Sequence, residues 1–454
     1  MLPPPLVTVY ITNYNYGAYL EKAVESVLNQ SMKDFELIII DDGSTDNSRE
    51  IIEKYKNRDG IRIIYQKNKG LNVTNNIALR TADGKYIMRL DADDYLESTA
   101  LEKLSGRLEA DPELGLVFPD YYLVDKDDNV LSEERRHNFD EEVKLLDQAA
   151  HGACTMIRVD FLKDVGGYNE SYNCQDGYEL WVKFTQKYKV TNINEPLFYY
   201  RQHGGNLTSN ENRILDTRAQ INANYITEKN KDTSTLIVIP VRGNGQDIAY
   251  EELLGGNFVT LKIQQALKAK NAVKIVISSP DEKIKDLIGE ELLANDKVLF
   301  HLRSKETARL NEDLSGTIRE VLDLDVVQKE IFTTICVLTI EYPFLKPHKI
   351  DDAINTMHLF GSDSLLSVRS DNSLFYAHHG DGLHPIAERD RFTRLEREAV
   401  FTHVGGISVV RKDRFLSSSK LINGVIGHMV IDQESAYGVF SQYDYELAKK
   451  IVSL

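Results

Sequence analysis

The sequence reads as an α/β protein of two domains, and three observations lead there. Apolar β-type runs alternate with helical patterns from Leu6 to Leu90, a polar run interrupts the pattern near residue 230, and the same alternation then resumes. Alternation of this kind argues for a mostly parallel sheet flanked by helices, with any ligand crevice at the carboxyl ends of the strands. At 454 residues the chain is also too long for one hydrophobic core.

The first series runs VTVYIT, a helix near 18–29, FELIII, a helix near 44–55, IRIIY, a helix near 73–82 and KYIMRL, in the order βαβαβαβ. A polar helical stretch follows Asn206, and residues 228–234, EKNKDTS, contain no apolar side chain and read as a linker. The second series is TLIVIPVRGNG, a helix near 260–270, AVKIVISS, a helix near 281–293, KVLFHL and IFTTICVLTI, the last expected as a long buried strand. The expected boundaries are 1–228 for the first domain, 229–234 for the linker and 235–454 for the second domain.

Composition sets limits on function. With 42% apolar and 27% charged residues the chain falls in the globular range, and a formal net charge of -16 argues against unspecific attraction to nucleic acid. Cys154, Cys174 and Cys336 show no metal or redox spacing and read as thiols in a reducing compartment. The start MLPPPLVTVYITNYN lacks the features of a signal peptide, so the expected location is cytoplasmic, with a peripheral place at the inner face of the membrane also compatible. The sequons at Asn72, Asn169 and Asn206 would then be idle.

Two acidic clusters follow apolar strands: Asp41 and Asp42 after FELIII, and Asp91, Asp93 and Asp94 after KYIMRL. The first pair suits either a ligand contact or the cap of a following helix. Three carboxylates in four residues repel one another unless a cation holds them, and an oxygen-only ligand set suits magnesium or manganese. Such an ion can bridge two phosphates and neutralise a departing diphosphate.

The stretch PLVTVYITNYNYGAYLEKAVESVLNQSMKDFELIIIDDGSTDNS, followed by DGKYIMRLDADDYL, resembles glycosyltransferase family 2 with the GT-A fold, from about Leu6 to Thr208. The resemblance implies that Thr12, Tyr14 and Asp42 line the nucleotide base and that Asp91 and Asp93 form the DxD pair touching ribose and metal. It also implies that Asp176, in CQDGYELWVKF, is the catalytic base that takes the proton of the acceptor hydroxyl, help worth roughly 10²–10⁴-fold. Taken alone, Asp176 also suits the start of a helix. In YRQHGGNLT, His203 matches the family's closing segment, where a His reaches the metal or the diphosphate. Two departures stand out: Gln175 where the family usually has Glu, and Asn75-Asn76 where many relatives have Arg-Asn.

The second domain, over most of 235–454, resembles the cytidylyltransferases that activate sialic acid and related acids, through EYPFLKPHKIDDAI, DSLLSV, HVGGISVVRK and DYELAKKI. Asp247, Glu251 and Glu252 stand where that family carries basic residues, and Gly438 and Phe440 fall at its metal-ligand positions. These changes imply a non-catalytic domain kept for assembly or ligand binding, with a homo-oligomer formed through the surface its relatives use.

The expectation is therefore an inverting, Mn2+- or Mg2+-dependent glycosyltransferase. It would take a nucleotide-sugar donor, UDP-linked by analogy, and a glycan or lipid-linked glycan acceptor, in bacterial-type surface polysaccharide or glycoconjugate synthesis. The competing readings are a bifunctional glycosyltransferase and CMP-sugar synthetase, and a non-catalytic sugar-nucleotide-binding scaffold.

Overall fold

The computed structural model describes residues 3–139, 149–150, 152–172, 174–203, 210–242, 248–309, 312–371 and 400–453, with three short strands between 376 and 395. The chain divides into two compact units, Met1–Arg218 with Ser373–Ala399, and Ala219–Asn372 with Val400–Leu454. The division falls inside the helix Glu211–Glu228, ahead of the polar stretch 229–234. Side-chain bonds account for that position. Cys174 and Gln175 hold Thr217 and Arg218, whereas Asn222 turns its amide to Asp352 and Thr356.

The first unit begins with β1 (Val7–Asn13), α1 (Gly17–Leu28), β2 (Phe35–Asp41), α2 (Ser48–Glu53), β3 (Ile61–Tyr65), α3 (Leu71–Thr81) and β4 (Tyr86–Asp91). Strands β4, β1, β2 and β3 lie side by side and parallel. Successive side chains point to opposite faces. Val9, Ile11 and Ile39 therefore join Leu20 and Val24 of α1 in one core, while Tyr10, Ile38 and Ile40 join Ala78 and Leu79 of α3 in another. Burial on both faces explains why β1, β2 and β4 are rich in apolar residues at successive positions. Helix α2 is shorter than the sequence suggests, because the Asp46 carboxylate accepts from the backbone N–H of Gly17 and of Ser48 and holds residues before 48 as a loop.

Beyond β4 come β5 (Tyr95–Leu96), α4 (Ala100–Ala110), β6 (Leu114–Val124), β7 (Val130–Arg135), β8 (Met156–Arg158), α5 (Val159–Asp164), α6 (Asp176–Thr185), β9 (Lys189–Arg201) and α7 (Glu211–Glu228). Here the sheet becomes mixed. Strand β8 is antiparallel to both β4 and β6, and β9 runs parallel to β6 while pairing antiparallel with β5. The Tyr95–Tyr199 register carries the end of β9 back to the turn after β4.

The second unit contains β10 (Thr235–Pro240), β11 (Glu252–Leu253), β12 (Gly256–Asn257), α8 (Phe258–Leu267), β13 (Ala272–Ser279), α9 (Lys283–Leu293), β14 (Val298–Leu302), α10 (Ser315–Leu322), α11 (Asp325–Gln328), β15 (Thr334–Leu338), α12 (His348–Phe360) and β16 (Ser364–Asp371). The short strands β17 (Tyr376–His378), β18 (Leu383–Pro385) and β19 (Thr393–Leu395) precede β20 (Val400–Arg411), α13 (Lys412–Ser418), β21 (Ile426–Val430) and α14 (Gln442–Val452). Of these, β19 adds parallel to β7 of the first unit's sheet. The second unit's own sheet has the order β14-β13-β10-β15-β20-β16-β21, with its first four strands parallel and β20 antiparallel to both neighbours. The run IFTTICVLTI contributes only the five residues of β15, since Ile331 is 85% exposed and stands outside the core.

Candidate functional site

The register of the parallel strands assembles the first unit's site. Thr12 of β1 lies opposite Asp91 of β4, and Asn13 lies opposite Asp41 of β2, so the polar residues that end three strands share one edge. The Thr12 hydroxyl donates to Asp91 Oδ1 at 3.0 Å. Tyr14, in the loop that follows β1, is exposed.

Neither member of the first acidic pair caps a helix. Asp41 accepts from Asn13 Nδ2 at 2.8 Å and fixes the β1 and β2 ends together. Asp42 accepts from Gln66 Nε2 at 2.7 Å, from Lys69 N at 2.8 Å and from Gly70 N at 2.9 Å, which shapes the loop entering α3. Gly70 has φ 87°, a left-handed conformation in which an L side chain is strained.

The second cluster is a knot of like charges. Asp93 and Asp94 are buried, while the Asp91 side chain stays a quarter exposed. Burial, then the charge of Asp91, pushes the Asp93 carboxyl above its ordinary range, with the His203 hydrogen bond pulling the other way. Burial, then Asp93 and Asp91, raises Asp94 well above it. Asp94 Oδ1 accepts from Arg201 N at 2.9 Å, yet its Oδ2 is buried without a hydrogen-bond partner among the described residues. His203 sits with Nε2 2.9 Å from Asp93 Oδ2, stacked on Tyr19 and edge-on to Tyr16.

Arg201 locks this corner. Its buried guanidinium donates to the carbonyl of Asp93 at 2.9 Å and to Asp128 Oδ1 at 2.6 Å, with its carbon 4.6 Å from the Tyr19 ring centroid. Because Arg201 ends β9, the β5–β9 pairing presents His203 to the acidic turn.

Asp176 is the first residue of α6, reached through Gln175 in a left-handed conformation, φ 63°. A non-glycine residue there costs of the order of 1 kcal/mol or more. Arg218 Nε donates to Gln175 Oε1 at 2.6 Å and Cys174 bonds Thr217, so α7 holds the strained entry to α6. The Asp176 carboxylate is buried and ion-pairs through Oδ2 with Arg89 Nη1. Asn75 Nδ2 approaches the same Oδ2 at 3.4 Å.

Arg89, which the sequence reading did not single out, joins the two halves of the site. It lies buried in β4, and its Nε is 3.0 Å from Asp91 Oδ1 while Nη1 meets Asp176. Burial disfavours its charge, but Asp176 and Asp91 outweigh that and raise the guanidinium above its ordinary value. Gly152 makes room, since a Cβ there would collide with Arg89 Nη2 and lie 3.1 Å from Asp176 Oδ2. A charged residue inside the buried strand YIMRLD was the available signal, because such a residue almost always needs an ionic partner. Both residues of the Asn75-Asn76 departure have structural roles. Asn75 Oδ1 accepts from Tyr10 at 3.1 Å, and Asn76 spans the Tyr168 backbone in both directions at 2.8 and 3.0 Å.

Among the described residues, no group of three or more His, Cys, Asp and Glu side chains forms a metal cage. In the second unit, residues 243–247, which include the Gly loop and Asp247, lie outside the described residues, as does Asn206. Glu252 is exposed on β11, and Phe440 is exposed ahead of α14.

Residues 8–166 match the profile of Glycosyl transferase family 2. The chain is 32% identical over 225 residues to the UDP-Glc:alpha-D-GlcNAc-diphosphoundecaprenol beta-1,3-glucosyltransferase WfaP of Escherichia coli, covering 48% of this chain and 85% of that one. It is 34% identical over 203 residues to the chondroitin synthase of Escherichia coli, covering 44% of this chain and 30% of that protein. The chain spans about a third of the length of the chondroitin synthases it matches. Among solved structures, S. aureus TarS 1-349 with UDP-GlcNAc aligns at a TM-score of 0.42 and 19% identity over 50% of this chain and 69% of that one.

Proposed function

Because this chain belongs to glycosyl transferase family 2, we propose that its first unit moves a sugar from a nucleotide diphosphate to an acceptor hydroxyl with inversion at the anomeric carbon. The observation that carries this reading is the state of Asp176. Among the described residues its side-chain contacts, with Arg89 and Asn75, both fall on Oδ2, so one oxygen is anchored and Oδ1 is left to accept a proton. A base must be held in place and still keep a lone pair for its task.

In the proposed reaction the acceptor oxygen bonds to the anomeric carbon as the bond from that carbon to the diphosphate oxygen breaks, and the hydroxyl proton passes to Asp176 Oδ1. Arg89 fixes the direction of the carboxylate and ties it to Asp91. Thr12, Tyr14 and Asp42 line the base, and Asp91 meets the ribose. UDP is the proposed nucleotide, in keeping with the UDP-Glc donor named for the E. coli relative. The proposed acceptor is a glycan or lipid-linked glycan of a surface polysaccharide or glycoconjugate.

Mn2+ or Mg2+ fits the acidic corner. Burial and the charge of Asp91 raise the Asp93 carboxyl, and Asp94 Oδ2 has no hydrogen-bond partner among the described residues, so a cation there would stabilise the ionised acids. Hard cations at phosphate sites usually take only one or two protein carboxylates, which suits a corner without a cage. Asp93 and Asp91 would hold the ion with His203 beside them, and when bound it would neutralise charge on the departing diphosphate.

The second unit is proposed as a cytidylyltransferase-like domain without catalysis, serving assembly as a homo-oligomer or ligand binding. Support comes from its four parallel strands and from Gly438 and Phe440, neither of which offers a side-chain oxygen to a metal. Among the described residues no helix is long and apolar enough to cross a membrane. The proposed location is cytoplasmic, with a peripheral place at the inner membrane face also compatible.

The test is a panel of UDP- and GDP-sugars with Mn2+ and glycan acceptors, scored by nucleotide diphosphate release. Release that requires both a UDP-sugar and an acceptor supports the proposal. Absence of release across the panel from folded protein that binds no nucleotide sugar would overturn it.

A further inference from the structure

A cavity of about 640 Å³ lies in the second unit, lined by Lys231, His358, Arg411, Lys412, Phe332 and Leu416 among others. That volume is within the range of small-molecule sites, roughly 300–1,000 Å³. Its place in the fold separates it from the crevice expected at the carboxyl ends of the parallel strands. Thr333 immediately precedes β15, Lys231 and Asp232 precede β10, and Arg411 closes the antiparallel β20, so the cavity sits at the amino ends of β10 and β15. Val241 and Arg242, which follow β10, lie at the other end of the sheet.

The lining carries three cations, Lys231, Arg411 and Lys412, against two carboxylates, Asp232 and Asp413, in a protein whose formal net charge is -16. Lys231 Nζ donates to the His358 carbonyl at 2.7 Å, which caps the last turn of α12 and uses one of three donors. Lys412 Nζ lies 3.9 Å over the centre of the Phe332 ring. Neither ammonium forms an ion pair among the described residues. The acids nearby are otherwise engaged: Asp232 accepts from Ser234 N at 2.9 Å, and Asp413 accepts from Arg411 at 3.2 and 3.3 Å and from Arg414 N at 2.9 Å.

Titration behaviour is consistent with that count. Burial, then Arg411 and Lys229, lowers Lys231. Burial, then Lys231 and Arg411, brings His358 down to about 4, with Asp232 opposing. His358 is therefore neutral near pH 7, and its Nε2 is spent on Thr334 Oγ1 at 2.7 Å. The wall beside the cations is apolar, with Phe332 and Met357 buried and Leu416 61% exposed at the mouth.

We propose that this cavity binds a small phosphate monoester, its phosphate held by Lys231, Arg411 and Lys412 and its organic body resting on Phe332 and Leu416. Two unpaired ammoniums beside a guanidinium suit a compact dianion better than a single carboxylate. The apolar wall gives the ester an advantage over inorganic phosphate.

Titration calorimetry on the full-length chain, without divalent metal and with the Asp93→Asn variant alongside, tests this with phenyl phosphate, inorganic phosphate, benzoate and benzyl alcohol. Phenyl phosphate should bind saturably and equally to wild type and Asp93→Asn. Inorganic phosphate and benzoate should bind at least five-fold more weakly, and benzyl alcohol should give no signal. Lys231→Met with Lys412→Met should weaken phenyl phosphate at least ten-fold. Leu416→Glu, a change at an exposed position that leaves the core intact, should weaken it at least five-fold and decides the matter if the double variant does not fold. No saturable binding to wild type, affinity unchanged in Leu416→Glu, or binding lost only in Asp93→Asn would each overturn the proposal. Benzoate binding as tightly as phenyl phosphate would overturn its phosphate specificity.

Discussion

Replacing Arg89 with Met removes the one cation, among the described residues, that faces both Asp91 and Asp176 inside the first unit. The two acids are left unequally. Asp91 keeps the Thr12 hydroxyl at 3.0 Å and is a quarter exposed, so water compensates much of its loss. Asp176, with its side chain 10% exposed, keeps only Asn75 at 3.4 Å among the described residues. Removing one partner of a buried pair costs about 3–5 kcal/mol, and partial exposure of Asp91 places the expected loss near the lower bound, about 3 kcal/mol. Turnover should fall further than stability suggests, because a base displaced by an ångström costs of the order of 10²-fold. The double variant Arg89→Met/Asp176→Asn no longer buries a lone carboxylate at that position. It should recover most of the stability and none of the turnover. Urea unfolding of the first unit, followed beside initial rates, reads both quantities. A loss below about 1 kcal/mol for Arg89→Met with normal turnover, or a double variant no more stable than the single, would refute the clamp.

Asp93→Asn should weaken Mn2+ and donor binding together, measured by calorimetry, and full activity in excess chelator would count against the metal corner. Asp176→Asn should keep donor affinity while turnover drops by roughly 10²–10⁴-fold, so a matching rise in donor KM would point to a binding role instead. Full-length protein given CTP, Mg2+ and a panel of sugar acids should release no pyrophosphate above background, and release would show a working cytidylyltransferase site. In the second unit, Lys262 is buried with Nζ 2.9 Å from the Tyr342 carbonyl, and burial brings it down to about 7 against a small opposing pull from Glu341. Between pH 7 and 10.5 the unfolded chain then binds a proton that the folded state lacks, so stability rises with pH across that window and is flat below it. At 1.36 kcal/mol per pH unit the full effect is roughly 5 kcal/mol at most. Calorimetry from pH 6.5 to 9.5 should show the second unit's melting temperature climbing in wild type and level in Lys262→Met.

The parallel half of the first unit was legible because its physics is local: two-sided burial writes β1, β2 and β4 as apolar runs, and the polar residues that end them mark the site edge. The resemblance brought Asp91, Asp93, Asp176 and His203 onto one list, and the fold joins Asp93 to His203 directly and Asp91 to Asp176 through Arg89. What pattern reasoning missed is non-local. Arg89 gains meaning only when α6 returns its first residue to β4, 87 positions further along the chain. Asp42 suited a ligand contact or a cap by pattern alone, and the fold adds that it braces the loop at Lys69 and Gly70, a contact set by tertiary placement. Strand β15 was overextended because Ile331 and Phe332 carry strand-like residues that the core does not take up in the same way, one exposed and one buried in a side cluster. The strand from 393 to 395 that joins the first unit's sheet comes from far along the chain, and no periodicity announces such an excursion.

The central claim, single displacement on a base held by Arg89, is tested most directly by the anomeric configuration of the first product. An α-linked UDP-sugar is incubated with wild-type protein and acceptor, and the coupling constant of the new anomeric proton is read by NMR before mutarotation or further transfer intervenes. The account predicts a β-linked product whose formation nearly stops in Asp176→Asn. An α-linked product, or a β-linked product formed at the wild-type rate by Asp176→Asn, would contradict it.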